Sequence, residues 1–227
     1  MNKYPHVAID GPAASGKTTV AREVATRLDA LYLDTGAMYR AVALLVLGAG
    51  ADAADEAAVM RLLSAKPVAI EPDRAAALGY RVYCGGAEAE GDLFSAPVDA
   101  VVSTVAAHPR VREALVRAQR AVAGRGPVVM AGRDIGTVVL PDAPVKIYLT
   151  ASPEARAERR AAELGAAGMP VDRAALVAAL DERDRVDGAR AISPLRPAAG
   201  ATIIDSSDLS AAEVAERIVA IAREAGR

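Results

Sequence analysis

The sequence predicts an α/β fold, a parallel sheet flanked by helices and interrupted by a small antiparallel β insertion. Three observations predict it. Gly11-Pro12-Ala13-Ala14-Ser15-Gly16-Lys17-Thr18 is a complete G-x-x-x-x-G-K-[ST] phosphate loop, which makes the sheet one of P-loop NTPase type. It stands between an apolar run, His6-Val7-Ala8-Ile9, that reads as a buried parallel strand, and Thr18-Thr19-Val20-Ala21, which opens a helix. Strand-like and helix-like segments then alternate, as in a doubly wound sheet.

The elements follow in order. The first helix reaches about Leu28, Leu31-Tyr32-Leu33 is a second short buried strand, and a helix runs through Tyr39, Arg40 and the apolar stretch from Ala41 to Ala51. Between Lys66 and Phe94 the texture changes. Turn signals at Glu71-Pro72-Asp73, Gly79, Gly85-Gly86 and Gly91 surround the β-favouring run Tyr80-Arg81-Val82-Tyr83, so this stretch is the antiparallel insertion. Helices are expected around 96–107 and 109–123, and Val128-Val129-Met130 and Lys146-Ile147-Tyr148-Leu149 return to the main sheet. Ser152 caps a helix with Pro153 in its first position; Gly165 and Gly168-Met169-Pro170 break it, and another helix runs from Asp172. Thr202-Ile203-Ile204 is the last strand, and Ser210 with Glu213 forms a capping box for the final helix.

Composition narrows the function. The chain has 227 residues, 52% of them apolar, enough for a substantial core. A net charge of −2 provides no global positive field, so nucleic acid is not an expected partner. Cys84 is the only cysteine, which excludes an internal disulfide, and His6 and His108 are too far apart in sequence to form a local metal motif. A reducing cytoplasm fits best, and the few residues before the first strand leave no room for a signal peptide. The longest apolar run, Ala41 to Ala51, falls well short of the ~20 residues of a membrane span and reads as a buried helix.

The phosphate loop calls for a nucleoside triphosphate. Its glycines let backbone N–H groups turn inward around phosphates, the helix N-terminus adds a partial positive charge and Lys17 a full one, and Thr18 can ligate Mg²⁺. Gly11 to Thr18, with Thr19, form the expected ATP site. Three further segments combine arginine with acid where open α/β sheets place ligands: Leu33-Asp34-Thr35-Gly36-Ala37-Met38-Tyr39-Arg40, Ala131-Gly132-Arg133-Asp134-Ile135-Gly136-Thr137, and Arg183-Asp184-Arg185-Val186-Asp187-Gly188-Ala189-Arg190. Together they indicate a second anion site. A regulatory GTPase would need an N-K-x-D motif, and Asn2 is the only asparagine. A kinase for another small molecule or nucleoside monophosphate, or a non-catalytic ATP-binding module, stays open on the residues alone.

The motifs resemble those of the bacterial cytidylate kinases, which phosphorylate CMP and dCMP. The likeness runs nearly end to end: A-I-D-G-P around the phosphate loop, L-D-T-G-A-M-Y-R at 33–40, H-P-R-V-R at 108–112, G-R-D-I-G-T-V-V at 132–139, P-D-A-P-V-K-I-Y-L at 141–149, and A-S-P-E-x-R-A-x-R-R at 151–160. The resemblance implies a single kinase domain with core segments at about 1–65 and 109–227, a CMP-side insertion at about 66–108 and a helical lid at about 156–172. It assigns Arg40, Arg133 and Arg190 to the CMP phosphate, Ser103, Arg112 and Asp134 to cytosine, and Thr35, Arg183 and Asp187 to the sugar. Arg159, with Arg156 and Arg160, would lie in the mobile lid over ATP. Lys17, Arg133, Arg190 and Asp134 are the expected catalytic set, Thr18 the magnesium ligand, and Asp34 a further one, directly or through water. A cytoplasmic monomer that uses ATP, Mg²⁺ and CMP or dCMP is expected. Two departures stand out: Val186 and Gly188 replace charged residues, and Leu93-Phe94-Ser95 replaces the family's I-R-[ST], so an arginine is missing there. Arg183, Asp187 and Arg190 keep a spacing that a continuing helix would bring to one face.

Overall fold

A computed structural model describes residues 4–76, 78–89, 93–166, 171–190 and 192–227. Along the chain lie β1 (Val7–Asp10), α1 (Lys17–Arg27), β2 (Leu31–Asp34), α2 (Thr35–Gly48), α3 (Glu56–Ala65), β3 (Val68–Pro72), β4 (Tyr80–Cys84) and β5 (Ala87–Glu88). Then come α4 (Ala96–Ala107), α5 (Pro109–Ala123), β6 (Val128–Gly132), β7 (Val145–Thr150), α6 (Pro153–Ala166), α7 (Arg173–Gly188), β8 (Thr202–Asp205) and α8 (Ala211–Ala225). The main sheet is parallel with strand order β2-β6-β1-β7-β8, and β3-β4-β5 form a separate antiparallel sheet. None of the helices is long and apolar enough, among the described residues, to cross a membrane.

The chain divides into two compact units, Met1–Ala30 with Val129–Arg227, and Leu31–Val128. In the first, β1 is central: Val7, Ala8 and Ile9 are fully buried because parallel strands are covered on both faces, and the strand needs side chains that carry no polar cost. Its register sets Asp10 beside Gly132 of β6 and Tyr148 of β7. The C-terminal ends of β1 and β6 are thereby side by side, and each leads into a loop of the expected site. Helix α8 packs on α1 and covers the core with Val214, Ala215, Ile218 and Ala222. Its capping box, Ser210 with Glu213, is formed as the sequence predicts.

The second unit holds the antiparallel sheet and helices α2 to α5. Alternation in β4 is clean: Tyr80, Val82 and Cys84 are buried, while Arg81 and Tyr83 are half-buried. Helix α2 runs against α4, and α5 contacts both.

Several expectations need correction. Glu71 and Pro72 belong to β3, and only Asp73 begins the turn, because Pro72 at the strand end has no ladder hydrogen bond to donate. Helix α3, capped by Asp55 through the N–H groups of Ala57 and Ala58, was not foreseen. Gly165 does not break α6, which continues through it to Ala166, and a β-carbon added there would meet open space, so nothing at this position requires glycine. Gly91 and Gly168-Met169-Pro170 lie outside the described residues. Helix α7 stops at Gly188, a poor helix former, so Arg190 lies beyond the helix and not on its face. After β6 the chain makes a π-helical turn over Ile135–Val139, closed by an i to i+5 bond from Leu140 N–H to the Ile135 carbonyl at 2.7 Å. Such wide turns are rare, and those that occur are frequently at functional sites.

Candidate active site

In the first unit the phosphate loop has the backbone that its sequence implies. A β-carbon on Gly11 would fall 2.0 Å from the Leu149 carbonyl oxygen, so only glycine fits where the loop leaves β1. Gly16 adopts φ +86° and delivers the chain into α1. Lys17 is buried and folds back over the loop, donating to the Pro12 carbonyl and to Ser15 Oγ at 3.2 Å. Thr18 is exposed in the first turn of α1, and its hydroxyl is the kind of hard oxygen donor that Mg²⁺ accepts.

The arginines of this unit are tied to the loop and to one another by acids. Arg133 donates from Nε to Asp187 at 2.9 Å and from Nη1 to the Gly11 carbonyl at 3.0 Å. Asp187 is buried and also pairs with Arg190, so the two arginines converge on one carboxylate although Arg190 has left the helix. About three turns along α7, Asp184 also reaches the loop. One of its oxygens accepts from Ala13 N–H at 3.1 Å, and the other pairs with Arg156. Arg159 lies against Gly16 and donates to Ser206, whose hydroxyl in turn donates to the Ser15 carbonyl at 3.3 Å. Arg160 pairs outward with Glu163, and Arg183 is half-buried on α7.

Asp134 is 4% exposed, and its carbonyl accepts from Val138 and Val139 as the π-helical turn begins. Asp10 faces the same turn, accepting from Ile135 and Gly136 N–H. Burial, reinforced by the nearby Asp134 charge, pushes the Asp10 carboxyl up to about 6, while the two N–H donors and Lys17 pull the other way.

In the second unit the expected residues stand on three packed helices. Asp34 caps α2 by accepting from Gly36 N–H at 2.9 Å, and Thr35 is buried in the first helical position. Arg40, one turn further on, donates to the Leu93 carbonyl at 3.0 Å and to Asp99 at 2.6 Å, with its guanidinium 5.0 Å from the Phe94 ring centre. Arg112 of α5 is 3% exposed, donates to the Ala106 carbonyl at 2.9 Å and lies 5.2 Å from the Tyr39 ring centre. Ser103 is half-buried on α4.

Sequence reasoning missed Asp10, Ser206 and Asp99 as parts of these networks. Asp10 had a local signal, an acid placed directly before the loop. Ser206 and Asp99 had none, since their partners are 47 and 59 residues away.

The sequence signature of the family described as "Cytidylate kinase" matches residues 7–224. The chain is 51% identical over 220 residues to a cytidylate kinase of Pelotomaculum thermopropionicum, with 97% of this chain and 96% of that one covered. It is 47% identical over 219 residues to that of Rhodococcus jostii, covering 96% and 94% of the two chains. To that of Geobacillus kaustophilus it is 46% identical over 224 residues, covering 99% of each. With the phosphate loop, the arginine and acid network and this end-to-end likeness in agreement, the chain belongs to the cytidylate kinase family.

Proposed function

We propose a division of labour for the family's reaction, transfer of the γ-phosphoryl group of ATP to CMP or dCMP to give ADP and CDP or dCDP. The phosphate loop from Gly11 to Thr19 holds the triphosphate, and Lys17 neutralises charge on the transferred group. Arg133 and Arg190, with Arg40, bind the acceptor phosphate. Asp134, Ser103 and Arg112 read cytosine, and Thr35, Arg183 and Asp187 hold the sugar. Arginine suits the acceptor phosphate because its planar fork of donors matches phosphate oxygens. The Asp134 carboxylate accepts from the 4-amino group of cytosine, where uracil presents an oxygen.

The acceptor oxygen is already anionic at neutral pH, so no general base is needed, and catalysis reduces to alignment and charge neutralisation. Thr18 would hold Mg²⁺, with Asp34 a further ligand directly or through water; the ion, when bound, shields the triphosphate charge. Arg156 and Arg159 belong to a lid at about 156–172 that excludes water and so protects ATP from hydrolysis. The CMP-side insertion spans about 66–108, and we take the enzyme to be a cytoplasmic monomer.

One observation carries the residue assignment: Arg133 is bonded both to Gly11 of the donor loop and to the carboxylate shared with Arg190. The arginines assigned to the acceptor are thus anchored to the loop assigned to the donor, which is the alignment an in-line transfer requires. A coupled ADP-release assay with each common nucleoside monophosphate tests it. CMP and dCMP should be the best acceptors, with UMP poorer by up to roughly 10⁴-fold, because a site that buries polar groups for one base penalises a mismatched base. Comparable kcat/KM for UMP and CMP would refute the cytosine assignment.

A further inference from the structure

Asp10 ends β1 directly before the phosphate loop and is 2% exposed. Its two carboxylate oxygens receive two different backbone donors, Ile135 N–H at 2.7 Å and Gly136 N–H at 2.8 Å. These are the first two residues of the π-helical turn, and Arg133 and Asp134 immediately precede them. Asp10 is also the strand partner of Gly132, and its neighbour Gly11 accepts from Arg133. The entrance to the donor loop and the segment assigned to the acceptor are therefore clipped together at Gly132, at Arg133 and at Ile135 with Gly136.

The clip is chemically particular. A buried carboxylate is costly, and burial has pushed this one up to about 6, with Asp134 adding to the rise and Lys17 opposing it. Two converging N–H donors need two acceptor oxygens on one side chain, which aspartate supplies and asparagine does not. The fit on the far side is equally close. A β-carbon on Gly136 would lie 3.1 Å from Ala198 Cβ and 3.4 Å from Asp10 Oδ2, so a side chain there would press on Ala198 and rest against the carboxylate.

We propose that Asp10 is a positioning residue for acceptor recognition: by holding Ile135 and Gly136 N–H, it presents Arg133 and Asp134 in fixed register with the phosphate loop. This rests on the assignment of Arg133 and Asp134 to CMP. Asp10 touches no substrate and acts only through the turn. Its effect should therefore fall on the choice of acceptor and not on affinity for ATP.

The test compares Asp10→Asn, Gly136→Ala and Asp134→Ala with the parent enzyme, using CMP and UMP as acceptors. In Asp10→Asn one of the two turn amides faces an NH₂ group and loses its acceptor. The expected result is a fall in kcat/KM for CMP of roughly tenfold or more, a narrowing of the CMP-to-UMP ratio by a similar factor, and a KM for ATP within about twofold of the parent. The downfield amide proton resonances that carboxylate acceptors impose on Ile135 and Gly136 should be lost. Gly136→Ala should narrow the ratio in the same direction, and it decides the matter if Asp10→Asn fails to fold. Equal losses with CMP and UMP, or an unchanged ratio in the folded variant, would overturn the proposal as a merely structural role. If Asp134→Ala narrows the ratio and neither other variant does, the role of Asp10 alone is refuted. If Asp134→Ala leaves the ratio unchanged, the cytosine assignment fails and the inference from it falls too.

Discussion

The two units hold their arginines in different ways. In the unit carrying the phosphate loop the arginines are cross-tied through acids: Arg133 and Arg190 share Asp187, Arg133 reaches Gly11, and Arg156 is joined to Ala13 by Asp184. In Leu31–Val128 the two arginines of the expected site each lie beside a ring as well: Arg40, paired with Asp99 and bonded to the Leu93 carbonyl, beside Phe94, and Arg112, bonded to the Ala106 carbonyl, beside Tyr39. A guanidinium locked to a carboxylate moves only with its partner, and its charge is already compensated. A ring beside a guanidinium adds a contact with the face of its plane, where no hydrogen bond is made. The first arrangement ties loops to one another; the second adds a ring contact to the carboxylate or carbonyl bonds that hold each arginine in place.

The largest effect should come from the phosphate loop to which the cross-tied network is anchored. Lys17→Ala should lower kcat by on the order of 10²-fold or more, since it removes a charge stabiliser of the transferring group. CMP affinity measured by calorimetry should be largely retained; a variant that has lost it would break the assignment of Lys17 to the donor side.

Next in size is Arg190. Replacement by alanine removes charge-assisted bonds to the acceptor phosphate and leaves Asp187 with one partner fewer. A loss of about ten- to a hundredfold in kcat/KM for CMP is expected. Arg185, 69% exposed and paired with Glu182 on the solvent side of α7, should tolerate alanine with almost no change. Equal losses in the two variants would mean that the cross-tie through Asp187 does not hold the phosphate site.

Asp10 provides a test by pH. Its folded value of about 6 lies above the ordinary 3.8, so between these values the folded chain binds a proton that the unfolded chain does not. Stability from this group therefore rises as pH falls through about 6, and the ionised form costs stability at neutral pH. Relative to Asp10→Asn, the parent should gain about 1 kcal/mol between pH 7 and pH 5 in urea unfolding. A difference that stays constant over this range would mean that Asp10 is not held in a costly site.

The smallest effect sharpens the other side of the comparison. Phe94→Leu removes the ring face beneath Arg40 but leaves Asp99 and the Leu93 carbonyl in place. KM for CMP should rise only about two- to fivefold with kcat unchanged, the worth of one partly exposed cation–π contact. A fall in kcat would show that Arg40 acts on the transferring group and not only on acceptor binding.

The phosphate loop, its strand and its helix were legible because they are local: a glycine where no β-carbon fits, an apolar strand and a helix N-terminus lie within about twenty residues. The same holds for the β4 alternation and for the Ser210 capping box, which need only their neighbours. Helix α3 was missed although it had local signals, an Asp55 cap and Val59 with Leu63 one turn apart on its buried face. The end of α7 was misjudged because i, i+4, i+7 spacing suggests a face only while the helix lasts, and Gly188 ends it before Arg190. The arginine and acid segments could be seen as anion sites, but the partner of each arginine could not.

What the sequence by itself determined was the class of fold, the donor loop and, by resemblance, the family, since each of these rests on short-range propensity or on a contiguous motif. What only the tertiary structure decided was the pairing: Arg133 with Asp187 and Gly11, Arg156 with Asp184, Arg40 with Asp99, and Asp10 with the turn at Ile135 and Gly136. The physical reason lies in sequence distance. Asp10 and its two donors are separated by 125 and 126 residues, and Ala13 and Asp184 by 171. Charge and hydrogen-bonding type show which groups can pair, but strand register and helix packing choose which do.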